Sequence, residues 1–283
     1  MVVSPIINLK ELFEIYQNQN VMIFDVRNSK NAKSEYQNEH LEGAIFVDLN
    51  TELSEINSDI SINGRHPLPK LENFSKFLSR NGISKEKHIV LYDNQFGANA
   101  AARFWWMLKA VGFKKVQVLN GGFSYAKANN FPLTSKIKIS NFDDTVIEVK
   151  EWGLPTVDIS KIEKIIYNPN YLIVDVRSKD RYDGLFEPLD LIAGHIPGAV
   201  NMPFLENLDS ENLFLSPSKI KAKYIKLFNN YNSKNIIIHC GSGVTACHTL
   251  LCLEYANLEL PNLYVGSWSE WSRKCSDKIE TNL

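Results

Sequence analysis

Tyr171-Leu172-Ile173-Val174-Asp175-Val176-Arg177 restates, in the second half of the chain, a stretch already met as Val21-Met22-Ile23-Phe24-Asp25-Val26-Arg27. Both runs are short, apolar at successive positions and rich in β-branched residues. That is the pattern of a strand buried on both faces of a parallel sheet. Three more anchors recur in the same order at nearly constant offset. Glu39-His40-Leu41-Glu42-Gly43-Ala44 returns as Gly194-His195-Ile196-Pro197-Gly198-Ala199. Ile89-Val90-Leu91-Tyr92 returns as Ile236-Ile237-Ile238-His239, and Leu119-Asn120-Gly121-Gly122-Phe123 as Tyr264-Val265-Gly266-Ser267-Trp268. Four anchors in register mean a duplicated domain.

Strand-like runs at Val116–Leu119 and residues 262–265 alternate with helical patterns. In residues 100–111, for example, Phe104, Met107, Leu108 and Val111 are spaced to share a face. Such alternation predicts an α/β fold, here two tandem domains that are each a mainly parallel sheet flanked by helices. Residues 1–135 form the N-terminal copy and 157–283 the C-terminal one. Residues 136–156, with a Gly153-Leu154-Pro155 breaker and no persistent periodicity, read as the linker.

A chain of 283 residues can bury two cores, and a net charge of -1 provides no field to gather nucleic acid or an anionic membrane. No apolar run approaches the ~20 residues that span a bilayer. Met1-Val2-Val3-Ser4-Pro5 lacks the basic start and apolar stretch of a signal peptide. The four cysteines (Cys240, Cys247, Cys252 and Cys275) fit neither a disulfide framework nor paired zinc ligands. A cytoplasmic location follows as the expectation. A zinc site from His239, Cys240, Cys247 and His248 is disfavoured, because Cys247 and His248 are helix neighbours pointing in different directions.

The two copies differ where chemistry would sit. The first apolar run ends on Asp93, the second on Cys240, followed by Gly241-Ser242-Gly243-Val244-Thr245 and a helical pattern. Two glycines let successive N–H groups turn inward at a helix N-terminus, a nest that stabilises an anion and so favours the thiolate of Cys240. Cys247 and Cys252 have no such loop and read as core thiols. A cysteine in an anion-binding loop suits phosphate ester hydrolysis or sulfur transfer. The first needs an arginine clamp where this chain has Ala246, and without it phosphoryl transfer loses its main charge stabiliser. A persulfide, small and singly charged, needs only the amides.

The paired anchors, with Asn120-Gly121-Gly122-Phe123 and Gly266-Ser267-Trp268-Ser269-Glu270-Trp271, resemble two-domain rhodaneses over essentially the whole chain. Within that family the Cys240 loop is similar to that of the 3-mercaptopyruvate sulfurtransferases. Thiosulfate sulfurtransferases carry Cys-Arg-Lys-Gly-Val-Thr there, and Gly241 and Ser242 supply no cation for a dianion. The resemblance implies an active site at the domain interface and a Cys240 persulfide held by the amides of Gly241, Gly243, Val244 and Thr245. It implies Arg181 as the group that grips the donor's anionic end, by a fork suited to carboxylates. It also implies a second arginine after Glu187-Pro188, where this chain has Leu189. Either one arginine suffices, another cation enters from elsewhere, or the donor differs. Ser242 and His66 match a proton relay whose acid is here replaced by Asn50.

His40 and His195 recur in both copies and read as structural, as do the Asp-Val-Arg pairs. Trp105, Trp106, Trp268 and Trp271 read as packing, with Trp268 able to line the pocket mouth. The function expected is transfer of sulfane sulfur from 3-mercaptopyruvate through Cys240 to a small thiol, thioredoxin or cyanide, with no metal or organic cofactor. Thiosulfate as donor, or a sulfur carrier with little turnover, are the alternatives.

Overall fold

The computed structural model describes residues 3–137, 147–228 and 230–283. Five strands of the first repeat are β1 (Ile6–Ile7), β2 (Val21–Asp25), β3 (Ala44–Phe46), β4 (His88–Tyr92) and β5 (Val116–Leu119). Those of the second are β6 (Thr156–Val157), β7 (Leu172–Asp175), β8 (Val200–Asn201), β9 (Ile236–His239) and β10 (Asn262–Tyr264). Each set forms one sheet, parallel throughout. The first has the order β1-β5-β4-β2-β3 and the second β6-β10-β9-β7-β8, so the same topology is built twice. The expected α/β duplication is what the chain forms. Because both faces are covered by helices, β2 and β7 are buried along their whole length, which is why their sequences are continuously apolar rather than alternating.

The chain divides into two compact units, and their membership crosses the repeat boundaries. The first contains Met1–Glu55, Pro69–Gly153 and Ser210–Phe214; the second contains Ile56–Leu68, Leu154–Asp209 and Leu215–Leu283. Residues 56–68, which lie in the first repeat by sequence, thus belong to the second unit. Of the linker expected at 136–156, residues 138–146 lie outside the described residues. Near its end Trp152 stacks on Trp106 with ring centres 6.2 Å apart, and the Gly153 N–H donates to Ala110 O at 2.7 Å.

The recurring polar anchors do the same work in both units. Asp25 and Asp175 each close on the arginine two residues later, through both its backbone N–H and its guanidinium. Arg27 lies 4.2 Å over the Phe123 ring and Arg177 lies 4.4 Å over the Trp268 ring. His40 stacks on Tyr36 at 4.0 Å and bonds Tyr36 O through Nδ1; His195 stacks on Tyr182 at 3.8 Å and bonds Tyr182 O the same way. A carbonyl can only accept, so Nδ1 carries the proton in both. These histidines are held in packing, and both are buried. Trp105, Trp106, Trp268 and Trp271 are buried as well.

Candidate active site

Cys240 stands immediately after β9, where the chain leaves the sheet, and the helix Thr245–Tyr255 begins five residues later. That helix is buried around most of its circumference, Ala246 included, so it is a core element rather than an amphipathic one. Gly243 makes the turn into it at φ +72°. A Cβ there would sit 2.5 Å from Val265 O, so both the dihedral and the space demand glycine. Gly243→Ala is expected to cost about 1–3 kcal/mol in stability, read as a lowered denaturant midpoint. A midpoint equal to that of the wild type would contradict the close approach.

The Asp93 copy shows what such a loop holds. The Asp93 carboxylate accepts N–H bonds from Gln95 (2.8 Å), Gly97 (2.8 Å), Asn99 (3.0 Å) and Ala101 (3.1 Å). The loop has wrapped around a carboxylate supplied by its own first residue. Burial outweighs the pull of the four N–H bonds and leaves that carboxyl above its ordinary value. Cys240 occupies the corresponding place. The Trp268 N–H donates to Cys240 O at 3.0 Å as the Phe123 N–H donates to Asp93 O at 2.9 Å. The Ser269 N–H adds a bond to Gly241 O at 2.8 Å, and the Cys240 N–H donates to Ser267 Oγ at 3.2 Å. The Gly266-to-Trp271 motif is therefore the brace of the cysteine loop. The Cys252 thiol is pushed well up by burial and the Cys275 thiol up to about 11, so neither is a competing nucleophile. Cys247, also buried, points its thiol at Gly243 O at 3.3 Å.

Residues 63–66 run along the same brace. The Asn63 N–H donates to Glu270 Oε1 at 3.0 Å and the Arg65 N–H to Ser269 Oγ at 3.0 Å. Gly64, at φ +77°, comes so close that a Cβ would lie 2.3 Å from Gly266 O. This docking brings His66 Nδ1 to 2.7 Å from Ser242 Oγ, joining two residues 176 positions apart in sequence. Asn50, the residue standing at the acid's place, is exposed in a turn of the first unit where its N–H donates to Asp48 Oδ1 at 2.7 Å.

Arg181 is in the site, and it is accompanied. A Cβ on Gly241 would lie 3.2 Å from Arg181 Nη2 and 3.1 Å from Arg65 Nη2. Two guanidinium groups thus converge on the residue next to Cys240. Glu187 takes Arg181 by two bonds, at 3.0 and 2.8 Å, and Asp190, its side chain fully buried, pairs with Arg65, with Arg181 (3.5 Å) and with Arg273 (2.8 Å). Leu189 is 60% exposed. Arg65, Asp190 and Arg273 were not expected from sequence. Arg65 adjoins His66 and Asp190 adjoins Leu189, but no spacing connects those pairs to each other. Among the described residues no group of three His, Cys, Asp or Glu side chains is arranged to hold a metal ion.

Residues 8–129 and 158–274 each match the family model for the rhodanese-like domain. The chain belongs to the rhodanese family. This rhodanese is 36% identical over 244 residues to the probable 3-mercaptopyruvate sulfurtransferase of Pseudomonas aeruginosa, an alignment covering 83% of this chain and 82% of that protein. It is also 32% identical over 260 residues to the thiosulfate sulfurtransferase of Mus musculus, covering 87% and 82% respectively. Among solved structures, the 3-mercaptopyruvate sulfurtransferase from Leishmania major superposes with a TM-score of 0.83 at 28% identity, over 97% of this rhodanese and 75% of that chain.

Proposed function

We propose that this rhodanese, a sulfurtransferase as its relatives are, takes the sulfur of 3-mercaptopyruvate onto Cys240 and passes it to a thiol. The observation that carries this reading is the 2.7 Å hydrogen bond between Ser242 Oγ and His66 Nδ1, two residues beyond the nucleophile. The Cys240 thiolate attacks the donor's thiol sulfur, and the carbon–sulfur bond breaks with its electrons going to the three-carbon fragment. The proton of the donor thiol ends on that carbon, giving pyruvate, and a persulfide anion remains on Cys240. A proton must therefore move from sulfur to carbon, and a hydroxyl paired with an imidazole can carry it. Thiosulfate requires no such transfer, since attack on its outer sulfur releases sulfite with no proton changing hands. A relay beside the nucleophile favours the ketone donor.

The amides of Gly241, Gly243, Val244 and Thr245 hold the persulfide in this reading, and the Asp93 loop supports it as an anion cradle of the same descent. Arg181 grips the donor carboxylate. In the second half-reaction a low-molecular-weight thiol or a thioredoxin-type thiol takes the outer sulfur and returns Cys240 to the thiolate. The thiosulfate reading retains one supporting observation, the two guanidinium groups over Gly241, which would suit a dianion. Cytoplasmic residence is part of the same proposal. The four cysteines are buried and unbridged, and among the described residues no helix is long and apolar enough to cross a membrane.

Steady-state turnover with the two donors side by side tests the reading. Mercaptopyruvate is expected to show the higher kcat/KM. His66→Asn is expected to lower that value about a hundredfold while moving thiosulfate turnover much less. Equal losses with both donors, or a preference for thiosulfate, would contradict the relay.

A further inference from the structure

We propose that Arg65 is the second donor-binding arginine of this enzyme, replacing from another part of the chain the cation missing at Leu189. The inference rests on the mercaptopyruvate reading and adds a specificity-determining residue to it. Its basis is the convergence at Gly241, where the direction a Cβ would take leads to Arg65 Nη2 at 3.1 Å and to Arg181 Nη2 at 3.2 Å. Gly241 follows Cys240, so an anionic end of a donor whose sulfur meets Cys240 lies within reach of both forks. Two guanidinium groups can share a carboxylate and the neighbouring ketone oxygen, and each charge-assisted bond is stronger than a neutral one.

Arg65 is also held in place before any donor arrives. Its backbone N–H is tied to Ser269 Oγ at 3.0 Å, Gly64 before it is wedged against Gly266 O, and its guanidinium pairs with Asp190. The side chain is 19% exposed, close to the 16% of Arg181, so both are mostly sheltered from solvent screening. Asp190 orients the pair without neutralising it. The cluster sets Arg65, Arg177, Arg181 and Arg273 against Asp175, Glu187 and Asp190, leaving one positive charge in excess before the Cys240 thiolate and the donor are counted. With glycine at 241 the two forks sit as they are, whereas a Cβ there would push each aside by a few tenths of an ångström. A side chain there would occupy the space the two forks share, which gives Gly241 a reason beyond loop flexibility.

The test is the kinetics of pyruvate release from 3-mercaptopyruvate by the full chain carrying Arg65→Ala, Arg65→Lys or Arg65→Gln, with pyruvate as a competitive inhibitor. Arg80→Ala, an exposed arginine paired with Glu52, serves as the charge control. Arg65→Ala is expected to raise KM and the pyruvate inhibition constant by about ten- to a hundredfold, with kcat at saturation falling far less. Arg65→Lys should recover part of the loss, since it keeps the charge but not the fork. Arg65→Gln should behave as Arg65→Ala, and Arg80→Ala as the wild type. An unchanged KM in Arg65→Ala and Arg65→Gln, while the wild type releases pyruvate, would overturn the assignment of Arg65 and leave the donor reading standing. A kcat loss at unchanged KM would overturn it equally. A wild type that releases no pyruvate would overturn the donor reading itself, and this inference with it.

Discussion

Cys240→Ser is expected to abolish sulfur transfer from either donor while leaving the fold intact. The substitution replaces a buried thiol with a slightly smaller hydroxyl at a strand end whose backbone bonds, to Trp268 and Ser267, do not involve the side chain. What disappears, in the proposed mechanism, is the atom that forms the covalent intermediate. A serine hydroxyl is almost wholly protonated at neutral pH, and its attack on sulfur has no activating base in the way that an anion-binding loop activates a thiolate. Where nucleophiles of covalent enzymes have been removed, losses on the order of a millionfold are known, so turnover should fall to the uncatalysed background. The other three cysteines cannot substitute. Cys247, Cys252 and Cys275 are buried, and the latter two carry raised thiol pKa values. Residual enzymatic turnover in Cys240→Ser, with normal denaturant unfolding, would place the sulfur on another residue and sink the mechanism.

The second large effect concerns stability. Asp175→Asn should cost about 3–5 kcal/mol, the range seen when one partner of a buried ion pair is removed and the other is left charged. Asp175 is fully buried and Arg177 is 1% exposed. Their guanidinium–carboxylate contact is extended by Arg177 Nη2 donating to Gly194 O at 2.6 Å and Nη1 to Glu187 at 3.2 Å. Neutralising Asp175 would leave Arg177 to be compensated by Glu187 and, less strongly, Asp190, while its ring contact with Trp268 would remain. Against a total of ~5–15 kcal/mol for a typical domain, the loss is severe and should appear as a lower guanidinium midpoint. The pair also has a pH signature. Burial raises the Asp175 carboxyl, but Arg177 and then His239 outweigh it and hold it below its ordinary value. A lowered folded pKa means the contribution is present above the unfolded carboxylate range and is lost as pH falls through the folded value. The gap between wild type and Asp175→Asn should therefore close on acidification. A cost below ~1 kcal/mol at neutral pH, or a gap that widens in acid, would contradict the pairing.

The fold was legible because its anchors are local and doubled. An apolar run ending in Asp-Val-Arg declares a buried strand and the ion pair that closes it, and finding the run twice declares the duplication. His40 and His195 could be assigned to packing by the same logic, and their stacking on Tyr36 and Tyr182 explains why an inactive repeat needs one too. The Cys240 loop was legible as a turn between a buried strand and a helix, through its glycines and the helical pattern that follows. The location of the second cation was not. It depends on Gly64 pressing against Gly266 and on Asp190 gathering three arginines from separate segments, and neither leaves a periodicity or a spacing. The sequence raised the problem at Leu189 and allowed that another cation could enter from elsewhere; only the folded chain brings Arg65 to Gly241. Residues 56–68 make the same point, since repeat boundaries assign them to one domain and packing to the other.

In the proposed mechanism Cys240 carries sulfur as a persulfide. The direct measurement is the mass of the whole protein and of its Cys240 peptide after incubation with 3-mercaptopyruvate in the absence of any thiol acceptor. The protein is expected to become heavier by one sulfur atom, with the added atom on the Cys240 peptide and lost on addition of a thiol. An unchanged mass while pyruvate is released, or added sulfur on Cys247, Cys252 or Cys275 instead, would contradict it.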